Sequence, residues 1–331
     1  MGETRENSSA KVKTSGKDLA LRILKRIWSD YSLVVILVVI FIIVGNIVPR
    51  FLYLSNQLLI LRHAAIIGMI ALGATFIIIA GGVDLSAGHV MAASGTVLIM
   101  LQGNENIPLV VAILACFAVA ITVGLLNGFV VTKTGIAPFI VTLAIGIMVR
   151  SIALNAVGGV SITGRRIPAF TNIGNGTIGV IPIPLIIWVS FAIIFGCILA
   201  YTKFGSYIYA VGGNENAARY SGIPVKKVRI ACFAIGGFCV AVAALLSVSR
   251  MAAIATSTSG YLYEFDAITA ALVGGTALSG GRGKIVGTFF GMIAISVVSN
   301  LMIMLQISPY LGGFVKGAII LLAVLMQSRK K

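Results

Sequence analysis

Charge is scarce in this chain, and the scarcity decides its class. Only 10% of the 331 residues are charged, and nine are acidic. A soluble domain needs roughly a quarter of its residues charged to cover its surface, so a soluble globular protein is excluded. Histidine is as thin: His63 and His89 each stand alone, without the neighbours that a metal centre or an acid–base pair requires. The four cysteines, Cys116, Cys197, Cys232 and Cys239, all fall inside apolar runs. They read as small buried hydrophobes, with neither zinc spacing nor a disulfide framework. The first apolar run, from Ser32, lacks a small-residue cleavage site and leads into Pro49-Arg50, so no cleavable signal peptide is expected. The segments of about ten alternating residues that mark a membrane β-barrel are missing too.

Long apolar runs fill the space that charge leaves. Hydrophobic residues make up 59% of the chain and its mean hydropathy is +1.07. Runs of about 17–25 apolar residues recur, each able to cross a ~30 Å hydrocarbon layer. Backbone groups there must be satisfied within the protein, which makes helices the natural form. The expected fold is therefore all-α: a polytopic integral membrane protein with about ten transmembrane helices, some broken or re-entrant. The segments are 32–48, 58–80, 85–101, 107–131, 136–157, 183–201, 229–249, 264–279, 285–306 and 310–326. The 264–279 segment is short and interrupted by glycine.

The formal charge of +16 and pI near 10.1 do not call for nucleic acid, because cationic residues gather in the cytoplasmic loops of membrane proteins. With ten crossings, eighteen of the 25 basic residues share the side of the N-terminus, among them Lys133, Lys203, Lys226, Lys227, Arg229, Arg282 and Lys284. Both termini are thus expected in the cytoplasm. An eight-crossing arrangement with two re-entrant pairs gives nearly the same asymmetry. Residues 1–30 read as a basic cytoplasmic arm, with an interfacial stretch around Leu19–Trp28 facing lipid headgroups. Residues 31–326 form one membrane domain containing a cytoplasmic loop at 202–228, and 327–331 are a tail.

The run 274–284, GGTALSGGRGK, invites a nucleotide-binding reading and fails it. A Walker A loop needs G-x-x-x-x-G-K-[ST]; here Leu278 replaces the first glycine and Ile285 follows Lys284. No ATP hydrolysis is expected, and no cofactor. The same run shares G-G-x-x-L-S-x-G with GGVDLSAG at 81–88. Such a repeat marks either glycine-broken helices beside a substrate path or two tight small-residue packings.

Four stretches in order, GGVDLSAG at 81–88, NGFVVTKTGIAPFIVTLA at 127–144, FGSYIYAVGGNENAARYSGI at 204–223 and EFDAITAALVGGTALSGGRGKIVGT at 264–288, resemble one family. They look like permease subunits of bacterial monosaccharide ABC importers, the ribose-type branch, over about residues 58–326. The resemblance implies a pair of permease copies in the inner membrane. It also implies a separate cytoplasmic ATPase and an extracytoplasmic sugar-binding protein as partners. It assigns Asn214, Glu215, Ala217, Ala218, Arg219 and Gly222 to a helix that docks into the ATPase. Glu215 and Arg219 are spaced to pair on one face, and Gly222 is placed to close the helix in a left-handed turn.

Candidates for the translocation path or the broken helices are Asp84, Ser86, Asn127, Phe139, Thr142, Gly274, Gly275 and Ser279. Asp84 either lines the path or organises a broken helix by accepting N–H bonds from Ser86 and Ala87. Asn127 either meets sugar hydroxyls or ties helices together, and Phe139 either stacks on a sugar or simply packs. Glu264 and Asp266 read as lying outside the membrane, which leaves Asp84 as the one acidic residue at depth and argues against an ion-coupled carrier.

Overall fold

A computed structural model describes residues 38, 41–308 and 311–328. The arm at 1–30, its interfacial stretch and residues 329–331 lie outside the described residues. The chain is built from helices α1 (Leu54–Ile79), α2 (Ala87–Gly103), α3 (Leu109–Thr134), α4 (Pro138–Ala156), α5 (Pro168–Asn175) and α6 (Ile183–Tyr201). Then follow α7 (Lys203–Gly213), α8 (Glu215–Tyr220), α9 (Val225–Met251), α10 (Tyr263–Val273), α11 (Ile285–Met304) and α12 (Gly312–Ser328). Among the described residues, four two-residue strands are the departure from an all-α chain. Ile162–Thr163 pairs antiparallel with Ala253–Ile254, and Thr177–Ile178 with Ile181–Pro182.

Six of these helices, α1, α3, α4, α6, α9 and α11, are long and apolar enough to cross a membrane. They are not equivalent. The most apolar stretch of α1 is 89% buried within the chain, against 22% for α4 and for α6. A helix apolar on every side belongs at the centre, and α1 is packed by α9, α10, α11 and α6. The outer helices turn residues such as Leu114, Phe129, Ile147 and Ile193 outward, as lipid-facing surfaces do.

Helix approach is set by small residues. Where α3 crosses α9, a Cβ on Gly237 would overlap the Ala120 carbonyl oxygen, and one on Gly124 would lie 2.5 Å from the Phe233 carbonyl oxygen. Close backbone contact of this kind drives helix association where lipid removes the hydrophobic incentive.

Two of the expected crossings are interrupted. At 11 residues, α10 spans only about 16 Å, so the expected 264–279 segment is helical only to Val273. The remainder, 274–284, is a hairpin whose Ala277 N–H donates to Arg282 at 2.9 Å. At the other break, the chain leaves α1 at Ala80 and runs without regular structure until Ala87.

The repeated G-G-x-x-L-S-x-G run is a repeated helix stop. Gly81 N–H reaches Ile78 at 2.9 Å and Gly82 N–H reaches Ile77 at 2.8 Å. Gly275 reaches Leu272 at 3.0 Å and Thr276 reaches Ala271 at 2.9 Å in the same pattern. Both are Schellman caps, with the left-handed residue supplied by Gly81 (φ 81°) and Gly275 (φ 90°). Glycine there satisfies carbonyls that lipid would leave unpaired.

Replacing Gly237 by leucine should force α3 and α9 apart, costing about 1–3 kcal/mol or more. Detergent-solubilised Gly237→Leu is expected to lose its monodisperse elution peak at a clearly lower temperature than wild type.

Candidate functional site

The broken crossings meet in the interior. Gly88, in the first turn of α2, lies so close to Gly260 and Glu264 that a Cβ would overlap the Gly260 carbonyl and the Glu264 carboxyl. The N-termini of α2 and α10 thus face the same region, each bringing the positive end of its dipole and an acidic group beside it. Asp84 and Glu264 line one small cavity of about 10 Å³, walled otherwise by Ile70, Ala74, Ile77, Ala87, Gly236, Val240 and Ala267.

Asp84 is fastened locally. Its Oδ1 accepts from Ser86 N–H at 2.8 Å and from the Ser86 hydroxyl at 2.6 Å, so the second donor is the hydroxyl where Ala87 N–H was expected. Asn127 on α3 donates from Nδ2 to Ser86 Oγ at 2.8 Å. Thr142 on α4 accepts from Leu85 N–H at 2.9 Å and donates to Val83 O at 3.4 Å. The unwound 81–86 segment thereby obtains from α3 and α4 the hydrogen bonds that a helix would have supplied itself. Of the path candidates, Asp84, Ser86, Asn127 and Thr142 form this one network. Phe139 is half exposed on the outer side of α4, one turn before Thr142. Gly274, Gly275 and Ser279 lie apart, at the stop and in the hairpin that follow α10.

Two acidic residues are corrected. Glu264 and Asp266 are only 5% and 2% exposed, because residues 255–262 enter the bundle without helix and α10 begins inside it. Asp266 is paired with Lys316 of α12 at 2.7 Å. Glu264 Oε2 is buried with no hydrogen-bond partner. No periodicity could signal this burial, since it depends on an irregular entry segment. Arg150, another residue near a segment end, donates to Ser257 O at 2.5 Å on that same segment.

The 202–228 loop contains the expected short helix and a second one. Asn214 Oδ1 accepts from Ala217 N–H at 3.0 Å and caps α8. Glu215 and Arg219 pair at 2.7 Å. Gly222, at φ 79°, closes the helix in a third Schellman cap, with Gly222 N–H to Arg219 and Ile223 N–H to Ala218, both at 3.0 Å. Helix α7 had no clear signal, because glycines and β-prone Tyr and Ile fill it. It forms on a Thr202 cap to Gly205 N–H at 3.1 Å and on burial of Ile208 and Val211. Ala217 is exposed, but Ala218 is buried against the chain's own core. The small size of Ala218 is therefore required inside this chain. Tyr220 is 91% exposed on the outer side of α8.

A bundle of apolar helices, two of them ended by glycine caps and bound to their neighbours by buried polar groups, is the architecture of a polytopic membrane permease. The chain matches, over residues 56–324, the family described as "branched-chain amino acid transport system / permease component", and it belongs to that family. It is similar to the ribose import permease protein of Bacillus subtilis, with 40% identity over 89% of this chain and 91% of that one. It is also similar to the ribose import permease protein of Haemophilus influenzae, at 37% over 88% and 91%. The D-allose transport system permease protein of Escherichia coli is 33% identical over 91% of this chain and 92% of its own. No solved structure matches the chain.

The Lys316–Asp266 pair, whose carboxylate is buried, yields a stability test. Lys316→Met should destabilise the protein by about 3–5 kcal/mol by leaving Asp266 uncompensated, and Asp266→Leu in the same chain should restore much of the loss. Thermal unfolding of the two variants in detergent checks this.

Proposed function

We propose that this chain is the transmembrane permease subunit of an ATP-driven importer that takes ribose, or a closely similar monosaccharide, from a binding protein into the cytoplasm. The family's description names branched-chain amino acids, but the relatives quoted above are named for sugars. A galactose/methyl galactoside permease and an L-arabinose permease are related at 33% and 34% identity. Ribose is favoured because the relatives at 40% and 37% are ribose permeases.

The observation that carries the mechanism is α8. Six residues are too few to hold a helix unaided, yet α8 is capped at both ends and held out beside the bundle with Ala217 and Tyr220 facing outward. In this reading the ATPase subunit closes over that face. Tyrosine suits such a contact, since it gives large buried area at low entropic cost. ATP binding and hydrolysis in the partner move α8, and the broken crossings convert the movement into alternating access. The chemistry belongs to the partner.

Two copies of the chain enclose the path in the bacterial inner membrane, and the binding protein docks on the outer loops, including 158–182. Residues 31–326 form the permease domain. Each copy crosses ten times with both termini in the cytoplasm, the non-helical segments at 80–87 and 255–262 lying within crossings. Two features support that count. The ladder joining Ile162–Thr163 to Ala253–Ile254 ties two expected outer loops together. Ile79, Gly212 and Gly281 meet at a common end, where the basic asymmetry puts the cytoplasm.

The reading is tested in proteoliposomes holding the permease, its ATPase and its binding protein. Uptake of labelled ribose should exceed that of allose, galactose, arabinose and autoinducer-2; preference for an amino acid overturns the sugar assignment. Ala217→Glu should insert normally, lose the ATPase on co-purification and lose uptake at least about tenfold, a loss of roughly 1.4 kcal/mol or more. A cysteine placed at the C-terminal end should resist impermeant labelling from outside intact cells.

A further inference from the structure

Arg229, at the start of α9, faces two ways. Its Nη1 pairs with Glu215 Oε2 of α8 at 2.8 Å, and its Nε donates to the carbonyl of Ala80 at 3.4 Å. Ala80 is the C-cap residue of α1, the point from which the chain unwinds toward Asp84. One guanidinium therefore joins the outward helix to the first helix stop.

The second stop is seated on the same unit. Gly281 N–H donates to Ile79 O at 2.8 Å. Gly212, the penultimate residue of α7, packs so closely that a Cβ would overlap the Ile79 carbonyl and lie 2.7 Å from Gly281 N. The Tyr209 hydroxyl of α7 donates to Gly283 O at 2.8 Å. Both breaks thus end on α7, one residue before α8, with little room for slip between them.

We propose that Arg229 is the positioning residue that transmits movement of α8 to the broken crossing at Ala80–Ser86, with the glycine contact at Gly212 carrying the same movement to the 274–284 hairpin. This rests on the reading of α8 as the ATPase-docking helix. A planar fork suits the task, because a guanidinium engages a carboxylate and a carbonyl together while an ammonium acts as a point charge. Glu215 also pairs with Arg219, but that pair lies within α8 and moves with it. Only the Arg229 arm crosses to α1. In the bundle beyond, the Ser86 hydroxyl accepts from Asn127 and donates to Asp84, and Asp84 faces Glu264 across the cavity. A displacement at Ala80 therefore reaches the junction of both broken helices.

The test uses the full complex in proteoliposomes and compares basal ATP hydrolysis with hydrolysis stimulated by ribose-loaded binding protein. Arg229→Met should keep the ATPase subunit at wild-type stoichiometry and basal turnover, while stimulation and ribose uptake fall about fivefold or more, the lower range of measured site-to-site couplings. Arg229→Lys should fall between the two. Arg229→Gln removes the same charge pair at a residue outside the docking helix and should match Arg229→Met; it decides the matter alone if Arg229→Met does not assemble. Wild-type stimulation in Arg229→Gln, or in an assembled Arg229→Met, overturns the proposal. Failure of the docking reading looks different: Ala217→Glu would then retain a bound and fully stimulated ATPase, whatever Arg229→Met does.

Discussion

In a bilayer the backbone has no water to fall back on, and most of this structure follows from that constraint. A continuous helix meets it unaided. A helix stopped inside the bundle leaves carbonyls at its end and N–H groups at the next start, each costing several kcal/mol if unpaired. Two breaks therefore require two sets of replacement partners. Gly81 and Gly275 turn the ends of α1 and α10 back on themselves, while Ser86, Asn127 and Thr142 supply bonds for the unwound segment. The glycines and small polar residues of this chain gather where the backbone would otherwise be orphaned.

The same constraint explains why the acids are tolerated. Asp84 is held by two bonds from Ser86, Asp266 by Lys316, and Glu264 by its place beside the first turn of α2. An acid beside a helix N-terminus gains from the dipole, more so where the site is partly buried. A helix break also makes a natural hinge, since it lacks the continuous ladder that stiffens a span. Breaks that end on α7, which leads straight into α8, couple the interior of the bundle to a helix at its edge, which is the geometry an ATP-driven permease needs.

Much of this was legible in the residues. The long runs mark α1, α3, α4, α6, α9 and α11 because apolarity over twenty residues has no other use in a helical chain. The cap at Asn214, the Glu215–Arg219 pair and the turn at Gly222 follow from i,i+3 and i,i+4 spacing, which is local. Helix α7 was not legible: Lys203–Gly213 has poor helix propensity and forms on the buried faces of Ile208 and Val211. Nor was Arg229, which looks like one more cytoplasmic cation until Glu215 and Ala80 are brought to it.

The sequence by itself determined the class, the helical content and the caps of α8. Each of these depends on residues within a few positions of one another, or on hydrophobicity summed over a span. Only the tertiary structure decided that Glu264 and Asp266 are interior, that Ala218 is small for its own chain's sake, and that both breaks converge on α7. Those outcomes depend on where irregular segments travel and which helices meet across 50 to 244 residues of chain, as in Asp266 with Lys316 and Asn56 with Asn300. No local pattern encodes such a meeting; it follows from the packing of the whole bundle around α1.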